Sequence, residues 1–211
     1  LVSYNILYDG YPTGYSPSGS KSGKDWPWSE RGQSVIDNIC QVSPDVICVQ
    51  ECSREAFSDI ERQISPQDGY QGFHRLHQKR QDGVAIFFNT RVFTQVNTNA
   101  YSISNDGRTG LIADLQHNAS KKTFRIATSH FTGGPNRTTG NDELLNLQNI
   151  CEQNGDLSCD AIVIAGDFNQ DLTPASSQYQ SRLDLLRSYQ KISGNLESEI
   201  GTTRTIDHIF C

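Results

Sequence analysis

The sequence predicts a layered α/β fold, and two observations lead to this prediction. The chain has 211 residues, of which 35% are hydrophobic, so it is long enough for one domain over residues 1–211 and apolar enough to bury a core. Short apolar runs flanked by turn residues alternate with longer segments whose apolar residues recur at spacings of three and four. Alternating strands and amphipathic helices are typical of layered α/β domains.

Seven short apolar runs predict strands. They lie at residues 1–7, 46–50, 84–88, 111–115, 124–129, 161–165 and 205–210. Four segments between them have the apolar spacing of amphipathic helices, at residues 29–40, 53–64, 142–151 and 178–189. Residues 9–25 are rich in Gly, Ser, Pro and Tyr and predict a long surface loop.

The charge balance excludes one class of nucleic-acid binder. Lys and Arg number 18 against 24 Asp and Glu, which leaves a net charge of −6. A protein that holds nucleic acid only by neutralising phosphates needs a basic surface, so a nucleic-acid substrate here would need a metal ion to offset its charge. No apolar run approaches the roughly 18 residues that cross a membrane, and the first residues are strand-like rather than a signal sequence.

Six cysteines and two glycosylation sequons predict a secreted, disulfide-bonded glycoprotein, with a cytoplasmic or nuclear chain as the alternative. The sequons begin at Asn118 and Asn136, both in polar stretches. Cys151 and Cys159 flank a short loop between a predicted helix and a predicted strand, so a disulfide between them is geometrically reasonable. The cysteine spacings lack the pairs typical of a structural zinc site.

Polar side chains interrupt or end several of the predicted strands. An unpaired charge in such a setting costs several kcal/mol, so each group should meet a partner or bind an ion. Oxygen donors without clustered thiolates or imidazoles favour Mg²⁺ over Zn²⁺, with Mn²⁺ or Ca²⁺ as alternatives. These candidate site residues are Asn5, Glu51, His130, Asp167, Asn169 and Asp207.

Other residues receive simpler interpretations. His74 and His77 are predicted to be a solvated loop pair, and Lys79 with Arg80 to be solvated surface charge. Exposed aromatic rings can stack on the bases of a single-stranded substrate or insert at a lipid surface, whereas Trp28 is expected to pack under the first helix. The aromatic residues of the 9–28 segment are Tyr11, Tyr15, Trp26 and Trp28.

Six short motifs follow one another along the chain: SYNIL at 3–7, DVICVQE at 45–51, DGVAIFFN at 82–89, ATSHF at 127–131, GDFN at 166–169 and IDHIF at 206–210. In this order and spacing they resemble the endonuclease/exonuclease/phosphatase superfamily, which includes deoxyribonuclease I, abasic-site endonucleases, neutral sphingomyelinases and inositol phosphatases. WSER at 28–31 and GYQGF at 69–73 are most similar to the carbon-catabolite-repressor type deadenylases.

The resemblance implies a four-layered α/β sandwich, in which two mixed sheets pack face to face with helices outside. It implies that Glu51 is the main metal ligand with Asn5 beside it. Asp167 and Asn169 would orient the attacking water and hold the scissile phosphate, and His130 would donate a hydrogen bond to a phosphate oxygen. The residues also allow simpler roles, since Asn5 could bond only to backbone and His130 could be a packed imidazole.

The resemblance has one departure, at the C-terminus. Superfamily members end with a Ser-Asp-His segment on the last strand, whereas this chain ends at Cys211 before any such segment. Asp207 would orient that histidine, or it could be a buried turn acceptor. We therefore expect a domain without its C-terminal strand, either because the chain is a fragment or because the strand and much of the activity have been lost.

The combined observations predict a Mg²⁺-dependent phosphodiester hydrolase, most simply a nuclease acting on DNA or RNA. Within the same class the alternative is a sphingomyelinase-like or other small phosphodiesterase, whose partner would be a phospholipid. From another class, the alternative is a non-catalytic secreted glycoprotein that keeps the fold for binding.

Overall fold

A computed structural model of the chain describes residues 1–10, 26–132, 139–153, 159–169 and 207–211. Within these residues the chain forms nine strands and three helices. In chain order they are β1 (Val2–Asn5), α1 (Trp28–Val42), β2 (Val46–Gln50), α2 (Arg54–Asp68), β3 (Tyr70–Leu76), β4 (Gly83–Asn89), β5 (Phe93–Ser102), β6 (Thr109–His117), β7 (Thr123–His130), α3 (Thr139–Gln153), β8 (Ala161–Asp167) and β9 (Asp207–Phe210).

The strands form two mixed sheets. The first has the order β1-β2-β4-β3 and the second the order β5-β6-β7-β8-β9. One pair in each sheet is parallel, β1 with β2 and β7 with β8, and the other pairs are antiparallel. Parallel strands need a crossover connection, and here α1 joins β1 to β2 while α3 joins β7 to β8.

The alternation of side chains along the strands builds the layers. In β2, Val46 and Cys48 face the second sheet, whereas Ile47 and Val49 face α1 and α2. Helix α3 covers the outer face of the second sheet through residues such as Leu147. The predicted four-layered sandwich is therefore confirmed.

Local chemistry explains where the second helix begins and ends. The Ser53 hydroxyl oxygen accepts a hydrogen bond from the backbone N of Ala56 at 3.1 Å, which caps the start of α2. The helix ends at Asp68, and the next residue, Gly69, has a φ of 71°, the left-handed conformation that commonly follows a helix. None of the helices in the described part of the chain is long and apolar enough to cross a membrane.

Most predicted elements are present. All seven predicted strands and three of the four predicted helices occur, while the helix predicted at 178–189 lies outside the described residues. The sequence does not predict β3 and β5. β5 is a sheet edge with largely exposed side chains, so it lacks apolar alternation. In β3, a Cβ at Gly72 would lie 2.6 Å from the Phe87 ring, so this position has no room for a side chain. The glycine interrupts the apolar pattern from which a strand would be predicted.

The six cysteines are free in the structure, so the predicted bridge between Cys151 and Cys159 is not present. Cys151 lies in the core between α3 and the second sheet, whereas Cys159 is partly exposed ahead of β8. A core position explains Cys151 without a bridge, because a free thiol packs as a small apolar group.

The prediction that His74 and His77 form a solvated loop pair is wrong. The Nε2 atom of His74 lies 2.9 Å from the Cys52 carbonyl oxygen, and its ring stacks on Phe57 with centroids 5.0 Å apart. His77 is only 8% exposed. Both residues are covered by contacts between distant segments, which their local sequence does not reveal. The expected packing of Trp28 is confirmed, since it lies in the core beneath α1.

Candidate metal centre and active site

The strand ends that carry polar residues meet at one edge of the sandwich. β1 and β2 are parallel and end at Asn5 and Gln50, directly before Glu51. β7 and β8 are parallel and end at His130 and Asp167, which are paired in register. Parallel strands share their carboxyl ends, so each sheet delivers two polar residues to this edge.

Asn5 connects the two acids across the sheets. Its Nδ2 atom donates to Oε1 of Glu51 at 2.9 Å and to Oδ2 of Asp167 at 2.8 Å. Its Oδ1 atom accepts from the backbone N of Leu7 at 3.0 Å. The second oxygen of Glu51, Oε2, accepts from the backbone N of Tyr8 at 2.7 Å. One amide therefore holds two carboxylates from different sheets side by side.

His130 completes a three-residue cluster with these acids. Its Nε2 atom lies 3.9 Å from Oε1 of Glu51 and 3.7 Å from Oδ2 of Asp167. The three candidate ligand atoms lie within 4.8 Å of one another, and no second group of this kind occurs among the described residues. The two acids are buried, with Asp167 only 2% exposed. The cluster is thus compact and largely shielded from water.

Asn169 organises the other side of the site. Its backbone N donates to Oδ1 of Asp167 at 2.7 Å. Its Nδ2 donates to the Phe131 carbonyl oxygen at 2.8 Å, a contact that identifies which end of the amide is nitrogen. The same Nδ2 lies 2.7 Å from Nε2 of His130, so this ring nitrogen is the acceptor and the imidazole proton is on Nδ1.

Burial determines the protonation of the cluster. It raises the pKa of Glu51 to about 7; hydrogen bonds to this carboxylate oppose the rise and the charge of Asp167 adds to it. Burial also lowers the pKa of His130 well below its usual 6.5, and the positive charge of Arg108 contributes. The imidazole is therefore neutral near pH 7, in agreement with its role as an acceptor.

The backbone is left-handed just beyond three of the strands that end here. Leu7, Glu51 and Asn169 have φ angles of 56°, 56° and 51°. This conformation costs a residue other than glycine about 1–2 kcal/mol, so the surrounding contacts have to hold it. Such strained positions cluster at functional sites. None of the three is glycine, and only Asn169 is a residue type that adopts this conformation readily.

Arg31 on α1 holds the turn that follows β1. Its Nη atoms donate to the carbonyl oxygens of Ile6 and Leu7, and its Nε donates to that of Trp26 at 2.8 Å. The guanidinium therefore satisfies three backbone acceptors beside the site. Through these bonds the first helix fixes the segment that presents Asn5.

The donor set fits a hard divalent cation. Oε1 of Glu51 and Oδ2 of Asp167 point at the same NH₂ group, and two buried carboxylates repel each other unless one takes a proton or a cation lies nearby. A site of two carboxylates and one neutral imidazole suits Mg²⁺ or Mn²⁺ better than Zn²⁺, because Zn²⁺ sites usually have more nitrogen or sulfur ligands. Glu51 and Asp167 would hold such an ion through their carboxylates, and His130 would join them only if its Nε2 gave up the bond from Asn169.

Five of the six predicted site residues lie together in the structure: Asn5, Glu51, His130, Asp167 and Asn169. The backbone of Asp207 pairs with Asp167 at the same edge, while its side chain lies outside the described residues. Sequence reasoning missed Arg31, although it belongs to the WSER motif, and Arg108, whose Nη1 donates to the His130 carbonyl oxygen at 2.8 Å. Arg108 lies directly before β6, and no motif or strand end in the sequence marks it as a site residue.

The roles assigned to the six site residues stay predictions, and two of them meet a specific constraint. Asn5 presents its Nδ2 to Glu51 and Asp167, so ligation of an ion by Oδ1 beside these acids would require the amide to turn. Nε2 of His130 accepts a hydrogen bond in this arrangement, so donation to a phosphate oxygen would require the ring to be protonated.

Comparison with known proteins shows the family of the chain. A profile of the Endonuclease/Exonuclease/phosphatase family matches residues 2–211. The chain is similar to nocturnin of Rattus norvegicus, with 28% identity over 193 residues that cover 82% of this chain and 44% of that protein. It is also similar to the CCR4-Not complex 3′-5′-exoribonuclease subunit Ccr4 of Candida albicans, with 23% identity over 215 residues, 80% of this chain and 27% of that protein. It spans less than half the length of these curated relatives.

A solved structure has the same fold. ANGEL2, a 2′,3′-cyclic phosphatase in complex with adenosine-2′,3′-vanadate, superposes with a TM-score of 0.73 and 18% identity, covering 99% of this chain and 82% of that one. The superfamily resemblance and its nearness to the deadenylase branch are therefore confirmed.

Proposed function

Because the chain belongs to the endonuclease/exonuclease/phosphatase family, we propose that it is a Mg²⁺-dependent phosphodiester hydrolase that acts on nucleic acid. The observation that carries the proposal is the meeting of Glu51, Asp167 and His130 within 4.8 Å at the edge where both sheets end. Two acids and one imidazole buried side by side at the ends of the strands are the kind of groups that metal-assisted phosphoryl transfer uses.

In this proposal, Glu51 and Asp167 would hold the cation, and Asn5 keeps Oε1 of Glu51 beside Oδ2 of Asp167. A bound divalent cation neutralises the non-bridging oxygens of a phosphodiester. Asn169 orients Asp167 through its backbone N, which leaves that carboxylate positioned to accept a proton from the attacking water. We place Asp207 at the same edge, because its backbone is paired with Asp167.

Single-stranded RNA is the substrate class we favour. The similar Candida albicans protein is named a 3′-5′-exoribonuclease, and the similar fold of ANGEL2 binds an adenosine derivative. Trp26 is 46% exposed, and its carbonyl is held by Arg31 next to the turn after β1. A ring in that position is available to stack on a base.

The test is hydrolysis of single-stranded RNA, single-stranded DNA, duplex DNA and sphingomyelin, with Mg²⁺ or with EDTA. We expect Mg²⁺-dependent cleavage of single-stranded RNA, and a loss of about a hundredfold or more in Glu51→Gln and Asp167→Asn. Glu55→Gln is the matched control, since Glu55 is exposed on α2.

Other outcomes would overturn parts of the proposal. Cleavage of sphingomyelin alone would move the substrate to the phospholipid alternative. A Glu51→Gln variant as active as wild type would remove the assigned site, and a folded wild-type chain without activity on any substrate would favour a binding protein.

A further inference from the structure

The chain just beyond β7 is held by groups from other elements. The His130 carbonyl oxygen accepts from Nη1 of Arg108 at 2.8 Å, and the backbone N of Phe131 donates to the Asp167 carbonyl oxygen at 2.9 Å. The Phe131 ring is fully buried, and its centroid lies 4.8 Å from that of Phe168. The chain therefore leaves the strand along a fixed path, with its backbone groups satisfied.

Glu143 on α3 binds the next residue of this path, Thr132. Its Oε2 accepts from the backbone N of Thr132 at 2.7 Å, and its Oε1 accepts from the Thr132 hydroxyl at 2.6 Å. Both oxygens of one carboxylate are thus used on one residue. This arrangement fixes the backbone and the side chain of Thr132 together, and hydrogen bonds to a carboxylate are stronger than those between neutral groups.

Glu143 is buried on the face of α3 that packs on the second sheet. It is 1% exposed and directly precedes Leu144, which lies in the core with Leu147. Burial raises the pKa of Glu143, while the bonds from Thr132 and the positive charge of Arg108 oppose the rise. Burying a carboxylate is unfavourable, and an apolar side chain in such a place is often as stable or more so, so packing alone does not account for Glu143.

One peptide group links this contact to the candidate active site. Nδ2 of Asn169 donates to the Phe131 carbonyl oxygen at 2.8 Å and lies 2.7 Å from Nε2 of His130. That carbonyl belongs to the same peptide group as the backbone N of Thr132, which Glu143 binds. A peptide group is planar and rigid, so Glu143 fixes one end of it while the Asn169 amide reads the position of the other end.

We infer that Glu143 is a positioning residue that sets the orientation of the His130 imidazole through the Asn169 amide. It does so by fixing the peptide group between Phe131 and Thr132. If this peptide group rotated, its carbonyl oxygen would move, and the amide could no longer reach both the carbonyl oxygen and the imidazole with good geometry. The inference rests on the proposed function and deepens it, because it adds α3 to the elements that prepare the site for the reaction.

The first test observes the His130 ring directly, at about pH 8, where histidine is neutral. Nitrogen NMR of the chain labelled at histidine distinguishes the two neutral tautomers, and His130→Gln identifies the His130 signals among the five histidines. Wild type should show only the tautomer with its proton on Nδ1. Thr132→Val removes the hydroxyl donor, and Glu143→Gln replaces one acceptor oxygen with an NH₂ group. Both variants should lose the single tautomer and show a mixture of the two.

The second test measures hydrolysis of single-stranded RNA in Mg²⁺. Thr132→Val and Glu143→Gln should lower kcat about tenfold and leave KM within about twofold, because the loss concerns a reacting group rather than substrate binding. Thr132→Ser keeps the hydroxyl and should keep both the wild-type rate and the single tautomer. Asp142→Asn is the matched control, since Asp142 is an exposed acid on the same helix, and it should change neither.

A wild-type tautomer in both Thr132→Val and Glu143→Gln would overturn the inference, whatever their rates. Equal losses in Thr132→Val and Thr132→Ser would also overturn it, because the hydroxyl would then not be the group that matters. If Glu143→Gln does not fold, Thr132→Val decides, since its α3 is unchanged. A change of tautomer in a chain that hydrolyses no substrate would keep the positioning role and reject only the proposed reaction.

Discussion

Asn5 is the residue that makes the two acids one site. Its side-chain amide contacts carboxylates 46 and 162 residues further along the chain. By donating to Oε1 of Glu51 and Oδ2 of Asp167, it directs both oxygens to one point and partly offsets their repulsion. Burial, with a smaller contribution from the remaining repulsion, leaves Glu51 with a pKa of about 7. At the residue scale the site is therefore arranged for a cation, with a proton as its competitor.

We expect this competition to appear as a pH-dependent stability of the metal-free protein. The pKa of Glu51 is about 7 in the folded chain, against an ordinary value of 4.5. Between these values the folded protein binds the extra proton, so the contribution of Glu51 to the free energy of unfolding falls as the pH rises. Urea unfolding of wild type and Glu51→Gln in EDTA measures the free energy of unfolding at each pH. As the pH rises from about 4.5 to about 7, the variant should gain stability relative to wild type.

The quantity to compare is the difference in unfolding free energy between wild type and Glu51→Gln. His130 is present in both proteins and changes their stability with pH in the opposite direction to Glu51. Its lowered pKa means that the unfolded chain takes up the proton first, so stability falls as the pH decreases below about 6.5. A constant difference in unfolding free energy across the interval would contradict the pKa assigned to Glu51.

At the scale of elements, α1 does more than cover the first sheet. Its apolar face packs on β2 through residues such as Ile36 and Ile39, while Arg31 on the same helix binds the carbonyl oxygens of Ile6 and Leu7. The helix therefore couples the packing of the outer layer to the turn that follows Asn5. This turn includes the left-handed Leu7, so it needs external support.

Arg31→Lys should weaken both the fold and the site. Lysine keeps the charge but cannot reproduce the forked donors to three carbonyl groups, and we expect the free energy of unfolding to fall by about 2 kcal/mol. Urea unfolding measures this change, and calorimetric titration with Mn²⁺ should show weaker binding. Arg62→Lys, on the exposed side of α2, is the control. Unchanged Mn²⁺ affinity in Arg31→Lys would show that α1 does not position the metal centre.

For the whole molecule, the two sheets share an inner core that extends to the site. Cys48 lies in this core with side chains from both sheets. Beside it, Gln50 of the first sheet donates to Ser3 of the same sheet at 3.1 Å and joins the second sheet by donating to Thr128 at 3.0 Å. The alignment of the two sheets at the candidate site is therefore set by buried contacts.

Thiol labelling should report this global packing. Burial raises the pKa of Cys48 and of Cys151 to about 12 and also raises that of Cys52, so these thiols are protected in the folded protein. An alkylating reagent should modify the exposed Cys40 and Cys211 first and all six cysteines in denaturant without reductant. Mass spectrometry counts the labels. Four labels in denaturant would reveal a disulfide and support the prediction of a secreted chain, which otherwise depends on the sequons.

The sequence by itself determined seven of the nine strands in the described residues, their alternation with helices and the polar residues at strand ends. Periodicity carries this information because a half-buried element repeats its apolar residues locally. From it, and from the motif order, the superfamily and the positions Glu51, His130 and Asp167 could be predicted.

Only the tertiary structure decided which of these groups touch and how. The amide of Asn5 between two acids, the left-handed backbone at Glu51 and the burial of His77 all depend on segments far apart in the chain. The same is true of β5, an exposed edge strand held mainly by its pairing with β6. Polar contacts and backbone strain of this kind arise from the packing of whole elements, and a local pattern of residues does not encode their geometry.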